Sequence, residues 1–214
     1  MDGSCRIIAV RHGETAWNRE GRLQGHQDIP LNERGLAQAE AVALALADED
    51  VDAIYASDLQ RAARTAAAIA HRQGLAVRTD GGLRERAFGE FEGCCWPELE
   101  ARRPEDCARW KRREPDFAPP GGGESLLGFQ VRCVGAVEAL ARRHPGGSIV
   151  VVAHGGVLDC LYRAATRQSI QATRTWALGN ATINRLIHSA GGLSLVGWND
   201  DLHLSALSVL DESA

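Results

Sequence analysis

Ile7-Ile8-Ala9-Val10-Arg11-His12-Gly13 and Ile149-Val150-Val151-Val152-Ala153-His154-Gly155 are the two stretches on which the fold turns. Neither apolar run shows the polar alternation of a half-solvated strand, so both predict strands covered on both faces in a parallel sheet. Each run ends in a His-Gly pair. In an open parallel sheet the carboxyl ends of the strands face the crevice where ligands bind. Glycine lets the backbone turn sharply after each histidine. Two such endings in one chain predict one shared site.

Outward from these strands, Asp52 to Ala56 and Val77 to Thr79 are shorter strand candidates, and helical patterns lie between them. Asn32 is an expected N-cap, followed by an apolar face of Leu36, Ala39, Ala43 and Leu46. Ser57 and Gln60 resemble a capping box opening a helix to about His71. From Ser125, the series Phe129, Cys133, Val137, Leu140 marks a long helix, and another is expected after Gly155-Gly156. Thr182–Ser189 and Leu193–Trp198, around Ala190-Gly191-Gly192, read as a hairpin. The alternation predicts an α/β fold, a three-layer α/β/α sandwich around a mostly parallel central sheet. Residues 1–214 are expected to form a single domain. Gly93 to Gly123, rich in charges of both signs and closed by Pro119-Pro120-Gly121-Gly122-Gly123, breaks the pattern as an insertion or flap.

A formal charge of −4 gives no footprint for nucleic acid. An acidic protein can still handle anions if its arginines converge in one cleft. The six cysteines form no CxxC pair, so they are expected as small buried hydrophobes in a reducing cytosol rather than as zinc ligands. The apolar stretch within Met1–Val10 is too short for a signal peptide, and no stretch is long enough to span a membrane. The expectation is a cytoplasmic protein with no nucleic-acid or membrane partner; a homo-oligomer is left open.

Arg61 sits near the start of the helix after Ser57-Asp58-Leu59-Gln60, just past a strand end. There its planar guanidinium suits phosphate oxygens and the helix N-terminus adds positive potential. With it the sequence resembles the histidine phosphatase superfamily, which includes cofactor-dependent phosphoglycerate mutases and many small-metabolite phosphatases. The resemblance covers nearly the whole chain. It runs through Arg11-His12-Gly13-Glu14-Thr15, Asn18, Gly21-Arg22-Leu23-Gln24-Gly25, Asp28, Pro30-Leu31 and Gly35. It continues through Ser57-Asp58-Leu59 with Arg61-Ala62 and Thr65, Leu83-Arg84-Glu85, Phe88 to Gly93, Gly123-Glu124-Ser125 and His154-Gly155-Gly156-Val157.

The resemblance implies a phosphoglycerate mutase-like fold and roles for the matching positions. His12 is the implied nucleophile, forming a phosphohistidine that water hydrolyses. It attacks only when neutral, and Arg11, Arg61 and a charged His154 are expected to hold it so. The same cations would stabilise the oxygens of the transferring phosphoryl group, with no metal and no other cofactor required. Glu85 is the implied proton donor to the leaving oxygen, taking up its proton once a bound dianion offsets the arginines. Thr15, Asn18, Gln24, Gly25 and Gly155 are the implied phosphate-binding positions. His26, His71, His144, His188 and His203 show no ligand spacing and are expected on the surface or in packing.

Mutases of this superfamily carry lysine where this chain has Trp96, Asn at Gly156 and Thr at Gln24. Each departure points to the phosphatase branch. Trp110-Lys111-Arg112-Arg113 points the other way, towards the paired arginines of mutases. The expected activity is hydrolysis of a phosphate monoester of a small metabolite. Phosphoglycerate mutase-type transfer is the alternative, and a non-catalytic phospholigand-binding module a weaker one, since a binder has no need of His12 and Glu85. Trp96, Trp110, Arg112 and Arg113 are the expected contacts for the leaving group.

Overall fold

The structure is a computed structural model and describes residues 3–207, so Met1 and Asp2 of the N-terminal stretch read above lie outside the described residues. The first apolar run forms strand β1 (Cys5–Arg11) and the second β4 (Ser148–Ala153). They pair in parallel, in a register that sets Arg11 opposite Ala153 and so brings the two His-Gly turns side by side. Strands β2 (Ala53–Ala56) and β3 (Val77–Thr79) extend the parallel sheet on one side; β5 (Ile183–Ser189) and β6 (Gly192–Asp200) extend it on the other. The order is β3-β2-β4-β1-β5-β6. Only β5 runs against the rest, pairing antiparallel with both β1 and β6.

Successive residues of β1 and β4 point to opposite faces, and each face has its own core. Ile7, Ala9, Ile149 and Val151 pack on α6 (Leu126–Ala141) and α7 (Gly155–Thr166) through Phe129, Val137, Val157 and Leu161. Ile8, Val10, Val150 and Val152 pack on α2 (Glu33–Ala45) and α3 (Gln60–Gln73) through Val42, Ala66 and Ile69. This is the three-layer sandwich that the continuous apolar runs predict. Each fully buried Val or Ile here contributes about 1.5–3 kcal/mol, so the two strands that carry the histidines are anchored by burial on both faces.

Local expectations divide at the helix starts. Asn32 caps α2 by accepting from the Gly35 amide at 2.8 Å, and Ser125 caps α6 by accepting from the Gly128 amide at 3.1 Å. Ser57 does not cap α3. Its hydroxyl accepts from the Leu59 amide at 3.3 Å, closing a turn one step too early, while Asp28 Oδ1 reaches across to accept from the Gln60 amide at 2.7 Å. Leu36, read as part of the buried face of α2, is 42% exposed; Ala39, Ala43 and Leu46 do turn inward.

The 93–123 segment contains α4 (Trp96–Arg102) and α5 (Pro104–Lys111). These helices enclose a small core of their own, in which Phe88, Phe91, Leu99, Cys107 and Phe117 are buried and Trp96 and Trp110 pack against them. Among the described residues, no helix is long and apolar enough to cross a membrane.

Candidate active site

Parallel pairing carries β1 and β4 to the same edge, and the site is built on that edge. The His12 amide donates to the Ala153 carbonyl at 3.0 Å, and the His12 and His154 rings lie with centroids 5.1 Å apart. Both rings are closed off from solvent, at 3% and 0% exposure. His12 Nδ1 sits 2.7 Å from the Gly13 carbonyl oxygen, which can only accept. The ring proton is therefore on Nδ1, and Nε2 carries the free lone pair. Burial first, then the charges of Arg61 and Arg11, hold the His12 imidazole well below the ordinary histidine range.

His154 differs from the expectation. Burial, Arg61, His12 and Arg11 all hold its ring well below the ordinary range, so it is neutral rather than charged in the unliganded protein. A proton in so dry a site, beside two guanidiniums, lacks the water that would stabilise it. Neither of its ring nitrogens has a hydrogen-bond partner among the described residues.

Arg11, the last residue of β1, donates through Nη1 to the Leu178 carbonyl, and burial lowers its guanidinium to about 10. Arg61, in the first turn of α3, is anchored through Nη1 to the Gln27 carbonyl and through Nη2 to the Gly25 carbonyl, both at 2.8 Å. In both arginines the buried Nε–H is left without a partner among the described residues. Buried donors in a native structure are nearly always satisfied, so two unmatched guanidinium N–H groups beside an unpartnered imidazole mark a place for an acceptor. Gly155 opens α7 next to them, and a Cβ there would lie 3.5 Å from Arg11 Nε.

Glu85 is held from both sides. Its Oε1 accepts from the Arg86 amide at 2.9 Å and its Oε2 from the Gly156 amide at 3.0 Å, the latter at the N-terminus of α7. Gly156 matters for its missing side chain: a Cβ there would overlap Glu85 Oε1 and stand 3.1 Å from both Glu85 Cδ and Phe129 Cε1.

The expected phosphate-binding positions take distinct places. Thr15 is fully buried as the N-cap of α1 (Ala16–Arg19), with its hydroxyl bound to Asn18 in the cap. Asn18 Oδ1 accepts from the Thr15 amide at 3.1 Å. Gln24 is buried with Oε1 unpartnered. Gly25 has φ +53°, and a Cβ would overlap Glu92 Oε1, so glycine there lets its carbonyl fix Arg61.

Three residues at the site escaped the sequence reading. Asn180 donates through Nδ2 to the His12 carbonyl at 2.9 Å. His26, expected on the surface or in packing, has Nε2 2.8 Å from the Glu85 carbonyl oxygen. Arg174 lines a cavity of about 180 Å³ beside Glu85 and Gly156, together with Arg86, Arg113, Trp110 and Asp159. Two of the four expected leaving-group contacts, Trp110 and Arg113, line this cavity. Trp96 instead packs edge-on against Trp110 in the segment's own core, and Arg112, 61% exposed, pairs with Glu114. Among the described residues no three His, Cys, Asp or Glu side chains are grouped to hold a metal ion.

Fold and site together define an α/β protein with two buried imidazoles beside unmatched arginine donors at one edge of its sheet. Residues 7–201 match the family model described as histidine phosphatase superfamily (branch 1), and the chain belongs to that superfamily. It is 40% identical over 209 residues to phosphoglycerate mutase-like protein 4 of Arabidopsis thaliana, covering 96% of this chain and 90% of that protein. It is 39% identical over 207 residues to the metal-independent phosphoserine phosphatase of the same plant, covering 95% and 85%. The solved mycobacterial glucosyl-3-phosphoglycerate phosphatase has a TM-score of 0.82 at 31% identity, covering 92% of this chain and 99% of that one.

Proposed function

We propose that this chain is a metal-independent phosphatase that takes the phosphoryl group of a small phosphorylated metabolite onto His12 and passes it to water. The observation that carries the reading is the neutral, correctly protonated His12, with Nε2 free and the unmatched N–H groups of Arg11 and Arg61 buried around it. Nε2 attacks phosphorus, forming the N–P bond as the ester P–O bond breaks. The guanidiniums and the amide end of α7 at Gly155 stabilise the phosphoryl oxygens, where charge must be met without reorganisation. A proton from Glu85 goes to the leaving oxygen. Water then attacks the phosphohistidine and returns a proton to Glu85, and phosphate departs with Nε2 regenerated. His154 contributes a second neutral ring that hydrogen-bonds the phosphoryl group once it is bound.

In this reading residues 1–214 act as one catalytic domain, in a reducing cytosol that suits six free thiols. The 93–123 segment is its flap, joined to α7 by the 2.8 Å pair between Arg113 and Asp159. The name of the 40% identical plant relative keeps a mutase as the second reading. Intact mass after brief mixing with phosphorylated metabolites, kept free of acid, tests the intermediate. One added phosphoryl group on the wild type and none on His12→Asn is expected. Phosphate release from 3-phosphoglycerate should exceed isomer formation; the reverse ratio would turn the assignment to the mutase.

A further inference from the structure

The Gly13 carbonyl that takes the His12 ring proton is itself held in place, by side chains of α2 and α3. That carbonyl and the Glu14 N–H belong to one planar peptide, so fixing the direction of one fixes the other. The Glu14 N–H donates to Gln38 Oε1 at 2.8 Å, while the Gly13 oxygen lies 2.7 Å from His12 Nδ1. The preceding peptide is held as well. Its Gly13 N–H donates to Thr65 Oγ1 at 3.1 Å, and its His12 carbonyl accepts from Asn180 Nδ2 at 2.9 Å. The Thr65 hydroxyl spends its own proton on the Arg61 carbonyl at 2.8 Å, which leaves it an acceptor towards Gly13.

Gln38 and Thr65 are both buried, so neither bond is shared with solvent. The start of α2 is also registered against the turn. A Cβ on Gly13 would overlap the Gly35 carbonyl, and a Cβ on Gly35 would overlap the Glu14 carbonyl. The Asn32 amide donates to that same Glu14 carbonyl at 3.0 Å. The helix that carries Gln38 therefore lies backbone to backbone on the turn that carries the nucleophile.

A neutral imidazole can carry its proton on either nitrogen, and the partner of one nitrogen decides the state of the other. Nε2 attacks only while the proton stays on Nδ1. His154, with no partner on either nitrogen among the described residues, has no such constraint. As the N–P bond forms, the His12 ring turns cationic with Nδ1–H retained, and its bond to the Gly13 carbonyl becomes charge-assisted. The aimed carbonyl thus counts for more in the transition state than in the resting enzyme. Resting on the phosphatase reading above, we propose that Gln38 and Thr65 are positioning residues. Acting through the two peptides that meet at Gly13, they hold His12 in its attacking tautomer and aim the carbonyl that meets the charge on its ring.

The test reads the tautomer directly, from the nitrogen-15 shifts of the His12 ring, assigned by their loss in His12→Asn. The wild type should show Nδ1 protonated and Nε2 bare. Gln38→Met, which keeps the length but removes the acceptor, should show a mixture of both tautomers. Its kcat on p-nitrophenyl phosphate should fall about five- to tenfold, the worth of one hydrogen bond, with KM little changed. Its melting response to orthophosphate should persist, because the guanidinium donors are untouched. Thr65→Val should lose about as much turnover, and Thr65→Ser, which keeps the hydroxyl, should recover most of it; this pair carries the same test should Gln38→Met fail to fold. A ring still wholly Nδ1-protonated in both Gln38→Met and Thr65→Val overturns the proposal, as does a loss carried by KM alone. The tautomer needs no substrate to be read. A wild type that holds it, and loses it in Gln38→Met, yet turns over no phosphate ester would overturn the phosphatase reading instead.

Discussion

Replacing Gly156 by alanine is the most selective perturbation the site offers. The added methyl would fall on Glu85 Oε1, and would stand 3.1 Å from Glu85 Cδ and from Phe129 Cε1. Phe129 is buried in the α6–α7 core and has little room to yield, so the Glu85 carboxyl must retreat. A retreat of roughly 1 Å is enough to cost a catalytic group on the order of 100-fold, within the range of about 10² to 10⁴ that general acids supply. That loss applies only where the leaving oxygen needs a proton. We therefore expect kcat/KM of Gly156→Ala to fall about 100-fold on an alkyl phosphate and only a few-fold on p-nitrophenyl phosphate, whose phenolate departs unaided. Glu85→Gln should give the same contrast. The helix itself should tolerate the change, since alanine is favoured over glycine by about 0.5–1 kcal/mol within a helix. Unchanged thermal melting would locate the defect in chemistry. Equal losses on both substrates, or full alkyl phosphate turnover, would refute the placement of Glu85 as the acid that Gly156 positions.

Two further outcomes follow from the buried rings and the unmatched donors. His12 and His154 stay neutral in the fold but take up protons near pH 6.5 when unfolded. The unfolded chain then binds more protons, so stability should decline as pH falls below about 6.5, by up to about 1.4 kcal/mol per pH unit for each ring. Urea midpoints between pH 7.5 and 5 should show this slope, reduced in His154→Asn; a flat profile would mean the rings are accessible to protons. Orthophosphate should raise the melting temperature by filling the acceptor place, with about 2.7 kcal/mol of stabilisation at a hundredfold excess over its dissociation constant. Arg61→Met should lose most of that response, and an undiminished shift in the variant would place the anion elsewhere.

How much of this was legible before the structure depends on the range over which each interaction acts. The strands β1 and β4 were readable because burial on both faces leaves an unbroken apolar run, and the His-Gly ends because a strand end and its turn are local events. The caps at Asn32 and Ser125 were readable for the same reason, each closing on an amide three residues on. Ser57 has the same local pattern but loses to Asp28, an acceptor 32 residues away whose approach no spacing encodes.

The misread charge on His154 has a similar origin. Spacing placed it near His12 and the arginines, but the state of a ring is set by how completely water is excluded, and only packing decides that. Asn180 and Arg174 belong to a loop without periodicity or motif, brought to the site because β5 lies antiparallel beside β1. The residues proposed to perform the transfer sit at or near the ends of regular elements and can be read from sequence. Trp110, Arg113 and Arg174, which line the cavity beside Glu85, sit on the flap and the loop before β5, where long-range contacts govern. Gly156 belongs to both groups: the sequence marks it as a departure from the mutases, and only the structure reveals that its missing Cβ is the space Glu85 occupies.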